Sequence, residues 1–228
     1  MKQCILFLLL CSSIATFSQT AEDKSTWILK GNVTSLIDIF TFPTVQLSVE
    51  KKLTKCFSVN AEIGYQFFDF HRTDTILIKP KGFKVNIELR CYVSKLIDTD
   101  LAKKLDGFYL GLQPFFRQNQ YSAGVSYHAS SDSLQYMVDN MGVKKTVYGL
   151  NGILGFQKPI SGKVILDLYI GIGIMNRNVR NTNREYNKDS DERLMGTDLG
   201  PLFQYLNLSE SSGLAGNVLF GIRIGYKL

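Results

Sequence analysis

The stretch Phe57-Ser58-Val59-Asn60-Ala61-Glu62-Ile63-Gly64-Tyr65-Gln66-Phe67 decides the fold. Its odd positions are Phe, Val, Ala, Ile, Tyr and Phe, and its even positions are Ser, Asn, Glu, Gly and Gln. Side chains of a β-strand alternate between two faces, so this is a strand with one apolar and one polar side. The pattern returns at 83–93, where Phe83, Val85, Ile87, Leu89, Cys91 and Val93 alternate with Lys84, Asn86, Glu88, Arg90 and Tyr92. It returns again at 218–228, where Val218, Phe220, Ile222, Ile224, Tyr226 and Leu228 alternate with Leu219, Gly221, Arg223, Gly225 and Lys227. Weaker versions begin at Trp27, Thr44, Phe108, Thr146 and Val164. Eight strands are expected.

A full run of about ten residues, at roughly 3.3 Å per residue and a tilt near 40°, rises about 25 Å, the height of the apolar band of an outer-membrane barrel. No apolar-face position in the eight runs carries a charge. Charges fall on the other face: Lys30, Lys84, Arg90, Arg117, Arg223 and Lys227 against Glu50, Glu62, Glu88 and Asp167. These observations predict an all-β, eight-stranded antiparallel up-and-down transmembrane β-barrel over 27–228, with the apolar face toward lipid. A soluble periplasmic ligand-binding barrel of lipocalin type also alternates, but with the opposite sign. Eight strands leave an interior filled by side chains. Glu62, Glu88, Arg90, Asp167 and Arg223 are therefore expected to form a lumenal charge network that plugs the barrel.

Residues 1–18 read as a cleaved signal peptide: Lys2, an apolar run from Cys4 to Phe17, and the small-x-small site Thr16-Phe17-Ser18. Residues 19–26 follow as a short periplasmic segment. Of 228 residues, 20% are charged and the formal net charge is +6, falling to +5 once Lys2 leaves with the signal. No run of basic residues exists, so nucleic acid is not an expected partner. Cys4 and Cys11 also leave, and Cys56 and Cys91 are read as unpaired thiols, with a disulfide as the alternative.

With both termini periplasmic, short turns at 51–56, 94–106 and 158–163 alternate with generally longer outer connections at 36–43, 68–82, 121–144 and 177–213. Trp27, Phe57, Phe108, Phe156 and Tyr226 form a lower aromatic girdle, and Phe67, Phe83, Phe116 and Tyr148 an upper one. Pro114 falls inside a strand, where it removes a ladder hydrogen bond, so a bulge or irregular pairing is expected there. The polar then apolar connection 177–213 is a candidate surface for an extracellular partner, with extension of the flanking strands as the plainer alternative.

The signal peptide, eight amphipathic strands and long outer loops resemble small outer-membrane barrels of the OmpA/OmpX type. Leu29-Lys30-Gly31-Asn32, Ala61-Glu62-Ile63-Gly64-Tyr65 and Gly107-Phe108-Tyr109-Leu110-Gly111 are similar to uncharacterised outer-membrane barrels of Bacteroidota. The resemblance implies localisation in the outer membrane, contact with its lipid and with the barrel insertion machinery, and a structural or surface-interaction role. Asp74-Thr75-Ile76 and Asp132-Ser133-Leu134 resemble the Asp-Ser/Thr-apolar O-glycosylation pattern of exported Bacteroidota proteins.

Signals of catalysis are sparse. Metal-ligand spacings, a phosphate-binding glycine loop and a nucleophile elbow are absent from the sequence, so no metal or cofactor is expected. The two histidines, His71 and His128, fall in predicted outer loops. His128-Ala129-Ser130 resembles the His-x-Ser of barrel lipid A deacylases, which makes a lipid-modifying hydrolase the alternative function. The leading expectation is a non-enzymatic barrel.

Overall fold

The computed structural model describes residues 27–38, 41–66, 78–93, 106–129, 132–185, 187, 189–193 and 210–228. Residues 1–26, His71, the Asp74-Thr75-Ile76 pattern, Ser130 and the apolar stretch of the 177–213 connection lie outside the described residues.

Among the described residues nine strands form one antiparallel sheet: β1 Trp27–Asn32, β2 Val45–Lys52, β3 Phe57–Gln66, β4 Ile78–Tyr92, β5 Gly107–Ala129, β6 Asp132–Ser161, β7 Val164–Thr182, β8 Glu192–Arg193 and β9 Ser211–Lys227. The hydrogen-bonded order β4-β3-β2-β1-β9-β7-β6-β5 is closed into a ring by β4 pairing with β5. β8, only two residues long, hangs on the far end of β5 opposite Tyr127 and His128. It is the strand beyond the eight expected. Among the described residues no helix is long and apolar enough to cross a membrane. The helical piece here is a single 3-10 turn, Thr34–Ile37, drawn inward by Ser35, whose hydroxyl shares its one proton between the carbonyls of Asn32 (2.7 Å) and Thr44 (2.9 Å).

The alternation puts apolar side chains outside and charges inside. Leu47, Ile63, Ile170, Ile172 and Val218 are each more than half exposed, whereas Lys30, Glu50, Glu88, Arg90, Asp167 and Arg223 are at most 1% exposed. This is the reverse of a water-soluble barrel. The outer belt is bounded by aromatic rings. Phe108 and Phe156 touch at 4.7 Å at its lower edge, and Phe83 and Phe116 at 5.6 Å at its upper edge, where Tyr65 and Tyr148 pair with them in register. On β5 the two edges, Phe108 and Phe116, lie roughly 20 Å apart along the barrel axis. Lys51 and Lys163 lie over the rings of Trp27 and Tyr226 at the lower rim.

The wall is lopsided. β1 to β3 have 6, 8 and 10 residues, whereas β5, β6, β7 and β9 have 23, 30, 19 and 17. The 121–144 connection expected between strands is therefore almost all ladder, with β5 and β6 paired up to Ala129 and Asp132, roughly 30 Å above Phe116 by the same arithmetic. His128 accordingly sits in a strand, not a loop. Above the Asn119–Lys145 rung the inward face becomes mainly apolar, with Asp139 still turned in. Tyr121, Tyr127, Met141 and Val143 turn inward and are buried, while Gln120, Asn140, Lys144 and Arg180 face out and are exposed.

Pro114 shows the irregular pairing expected of it rather than a bulge. Pro114 keeps the register with both neighbours, so there is no bulge. The β4–β5 ladder instead lacks rungs between Asn86↔Phe115 and Leu89↔Leu112, as the missing N–H requires, while pairing with β6 is unbroken. Register shifts occur at the other strand prolines, between Ile78 and Lys81 around Pro80, and between Pro159 and Ser161. Just below, Gly162 takes φ +51° in the two-residue turn between β6 and β7, a conformation that suits glycine.

Candidate functional site

Each strand contributes inward residues at every second position, and the stagger of the closed sheet stacks them in layers. Ile28, Tyr92, Tyr109, Ile153 and Ile165 form a buried apolar cluster. The charge network packs against it. Arg90 donates to Glu88 (2.9 Å) and Asp167 (2.9 Å) and lies 3.3 Å from Glu50. Arg223 donates through Nε to Glu62 (2.7 Å), and its Nη1 lies 3.5 Å from Glu88 and 3.6 Å from Asp167. The five residues singled out from the sequence, Glu62, Glu88, Arg90, Asp167 and Arg223, are thus brought together. Lys30 joins them through Glu50 (2.6 Å) and Asp167 (2.7 Å). Tyr92 and Tyr109 donate to Glu50 (2.8 Å) and Asp167 (2.7 Å).

Glycines make room for this layer. Tyr109 lies flat over Gly155 and Tyr169 over Gly221, each tyrosine opposite its glycine in register, so that a Cβ on either glycine would fall within the ring. An arginine stacks on the other face of each ring: Arg90 is 4.3 Å from the Tyr109 centroid and Arg223 is 3.8 Å from that of Tyr169. This glycine-tyrosine-arginine stack occurs twice and holds both guanidiniums in the plug. Sequence reasoning missed it, although the periodicity places all six residues on the polar face.

The lumen is not filled throughout, as the expectation for eight strands had it. Above the plug is a cavity of about 230 Å³, lined by Asn32, Gln46, Glu62, Gln113, Arg117 and Asn151 among others, with the turn Thr34–Ile37 at its edge. At its rim Lys84 donates to Asp38 (2.8 Å), to the Phe42 carbonyl (2.7 Å) and to the Thr41 hydroxyl (2.6 Å). Burial pushes the Asp38 carboxyl up, but Lys84 and Thr41 together hold it below its ordinary value. A depressed carboxylate stabilises the fold above its ordinary range, and that stability is lost as pH falls through the folded value. Acid, or Asp38→Asn at neutral pH, should therefore speed amide exchange at Thr41, whose N–H donates to Asp38 (3.0 Å). Equal exchange in both proteins at neutral pH would show that Asp38 does not hold this segment.

Other predicted residues stand apart from the lumen network. His128 pairs in register with Tyr136 and Glu192 on the tall wall. Cys56 and Cys91 are free thiols in hydrogen-bonding contact near the lower rim.

The model of a family described as "Protein of unknown function (DUF3575)" matches residues 4–208. The chain belongs to this family. No curated protein matches the sequence. Beyond the family, the chain is similar to the solved structure of a major outer membrane protein from Thermus thermophilus, at TM-score 0.42 and 10% identity over 90% of this chain and 98% of that one.

Proposed function

We propose that this DUF3575 member is an integral outer-membrane barrel in which eight strands cross the bilayer, both termini are periplasmic, and the tall wall of β5, β6, β7 and β9 stands outside the cell as an interaction surface. The observation that carries this reading is the inverted barrel: an uncharged apolar belt between aromatic girdles, around an interior of buried ion pairs. Lipid accounts for the belt, and the mainly apolar inward face above the Asn119–Lys145 rung supports water beyond it. Tight links at 53–56 and 162–163 at the lower end and long strands at the upper end favour a periplasmic floor. The ion pairs fill the lower lumen with mutually bound side chains, which favours a structural or surface role over a pore. The connection 177–213 is the proposed site of an extracellular partner.

Ile170→Arg tests the belt. Ile170 is 54% exposed and lies between the girdles, so arginine there should cost about 2–4 kcal/mol in unfolding from lipid vesicles. Val138→Arg, on the outward face of the tall wall, should cost less than about 0.5 kcal/mol. Equal, small effects at both sites would mean that the belt does not face lipid.

A further inference from the structure

A directional chain of hydrogen bonds crosses the cavity wall. Arg117 Nη2 donates to Asn217 Oδ1 (2.9 Å), Asn217 Nδ2 to Asn151 Oδ1 (2.7 Å), and Asn151 Nδ2 to Gln113 Oε1 (3.1 Å). A guanidinium has only donors, so Arg117 fixes the orientation of every amide after it: each must turn its oxygen toward Arg117 and its nitrogen away. Reversing the chain would set Asn217 Nδ2 against Arg117 Nη2, donor against donor. The chain therefore has to end on a donor. That donor is Gln113 Nε2, on a side chain 2% exposed, and it has no hydrogen-bond partner. Arg117 Nε, at the other end, has none either.

Gln113 and Arg117 line the same cavity. The carboxylates that also line it are engaged elsewhere: Glu62 accepts from Arg223 (2.7 Å) and Asn86 (2.8 Å), and Asp38 from Lys84 and Thr41. Further positive charge lies just above. Lys145 on β6 and Arg177 on β7 are inward neighbours of Arg117 through the register Arg117↔Val147↔Arg177 and Asn119↔Lys145. A buried donor without an acceptor costs about 1–3 kcal/mol, and this cavity has two beside a cationic cluster. Phe115 and Leu219 supply an apolar wall. Arg117 as a whole is only half-buried, although its Nε is enclosed.

We propose that the upper lumen binds a small organic carboxylate, which accepts from Gln113 Nε2 in the field of the cationic cluster at Arg117 while its aliphatic part lies against Phe115 and Leu219. The test is equilibrium dialysis of the full-length barrel, folded in detergent, against radiolabelled propionate, with inorganic phosphate or chloride as competitor at constant ionic strength. Saturable binding of one propionate per barrel is expected. It should weaken at least tenfold in Arg117→Gln and in Gln113→Glu, which is close to isosteric and puts an acceptor where the donor was. Heat-modifiable gel mobility reports whether each variant folds, and if Arg117→Gln does not, Gln113→Glu decides alone. No saturable propionate binding, or undiminished binding in the folded variants, overturns the proposal. Displacement by phosphate or chloride as effective as by unlabelled propionate overturns the assignment to organic carboxylates.

Discussion

Arg90→Leu is expected to cost about 3–5 kcal/mol in urea unfolding from lipid vesicles. Arg90 is wholly buried and contacts Glu50, Glu88 and Asp167 while lying on the Tyr109 ring. Three buried cations, Lys30, Arg90 and Arg223, face four carboxylates, Glu50, Glu62, Glu88 and Asp167. Without Arg90 only two cations remain for the four, and Glu88 keeps only the longer 3.5 Å contact with Arg223. Removing one partner from a buried ionic cluster costs far more than the cluster contributes relative to an apolar core, because the remaining charges cannot return to water. The double variant Arg90→Leu/Glu88→Gln should therefore recover part of the loss, a coupling that a merely steric defect would not show. Arg90→Lys should fall between, since one ammonium cannot reproduce a planar fork spread over three carboxylates. If Arg90→Leu unfolds like the unmodified barrel, the plug is not ion-paired as described.

The faces of the strands were legible because two solvents act on them. Between Phe108 and Phe116 the outward positions are Phe108, Leu110, Leu112, Pro114 and Phe116, while the inward ones include Gln113. A period of two needs no long-range information, and the lumen charges followed directly from it. The same rule misled above Phe116. There the outward residues are Gln118, Gln120, Ser122, Gly124, Ser126 and His128, which read as a polar loop. They are the wet face of a strand whose inward face becomes mainly apolar above Asn119, with Tyr121 and Tyr127 turned inward. The chain from Arg117 through Asn217 and Asn151 to Gln113 was hidden for another reason. Its links span 100, 66 and 38 residues and depend on the stagger of the closed ring, which periodicity along single strands does not fix.

Gly221→Val is the second substitution expected to act strongly, and it tests the stacks that hold the plug. Gly221 stands opposite Tyr169 in register, and a Cβ there would occupy the space of the Tyr169 ring. Tyr169 also accepts a hydrogen bond from Asn32 Nδ2 (2.9 Å) and underlies the Arg223 guanidinium at 3.8 Å. A valine would have to push the ring into the arginine, which is itself held 2.7 Å from Glu62. Overpacking in a rigid interior costs about 1–3 kcal/mol, and loss of a desolvated cation–π contact adds about 2 kcal/mol. The expected destabilisation is therefore about 3–5 kcal/mol. Gly216→Val is the matched control, because Gly216 lies on the outer face of the same strand with nothing within 4 Å of its Cβ position; it should change stability by less than about 0.5 kcal/mol. Tyr169→Ala relieves the clash but also removes the platform for Arg223. The double variant Gly221→Val/Tyr169→Ala should thus be more stable than the sum of the single effects predicts, yet less stable than the native barrel. Simple additivity would mean that valine and tyrosine do not compete for one space, and that Arg223 is positioned by its carboxylates alone.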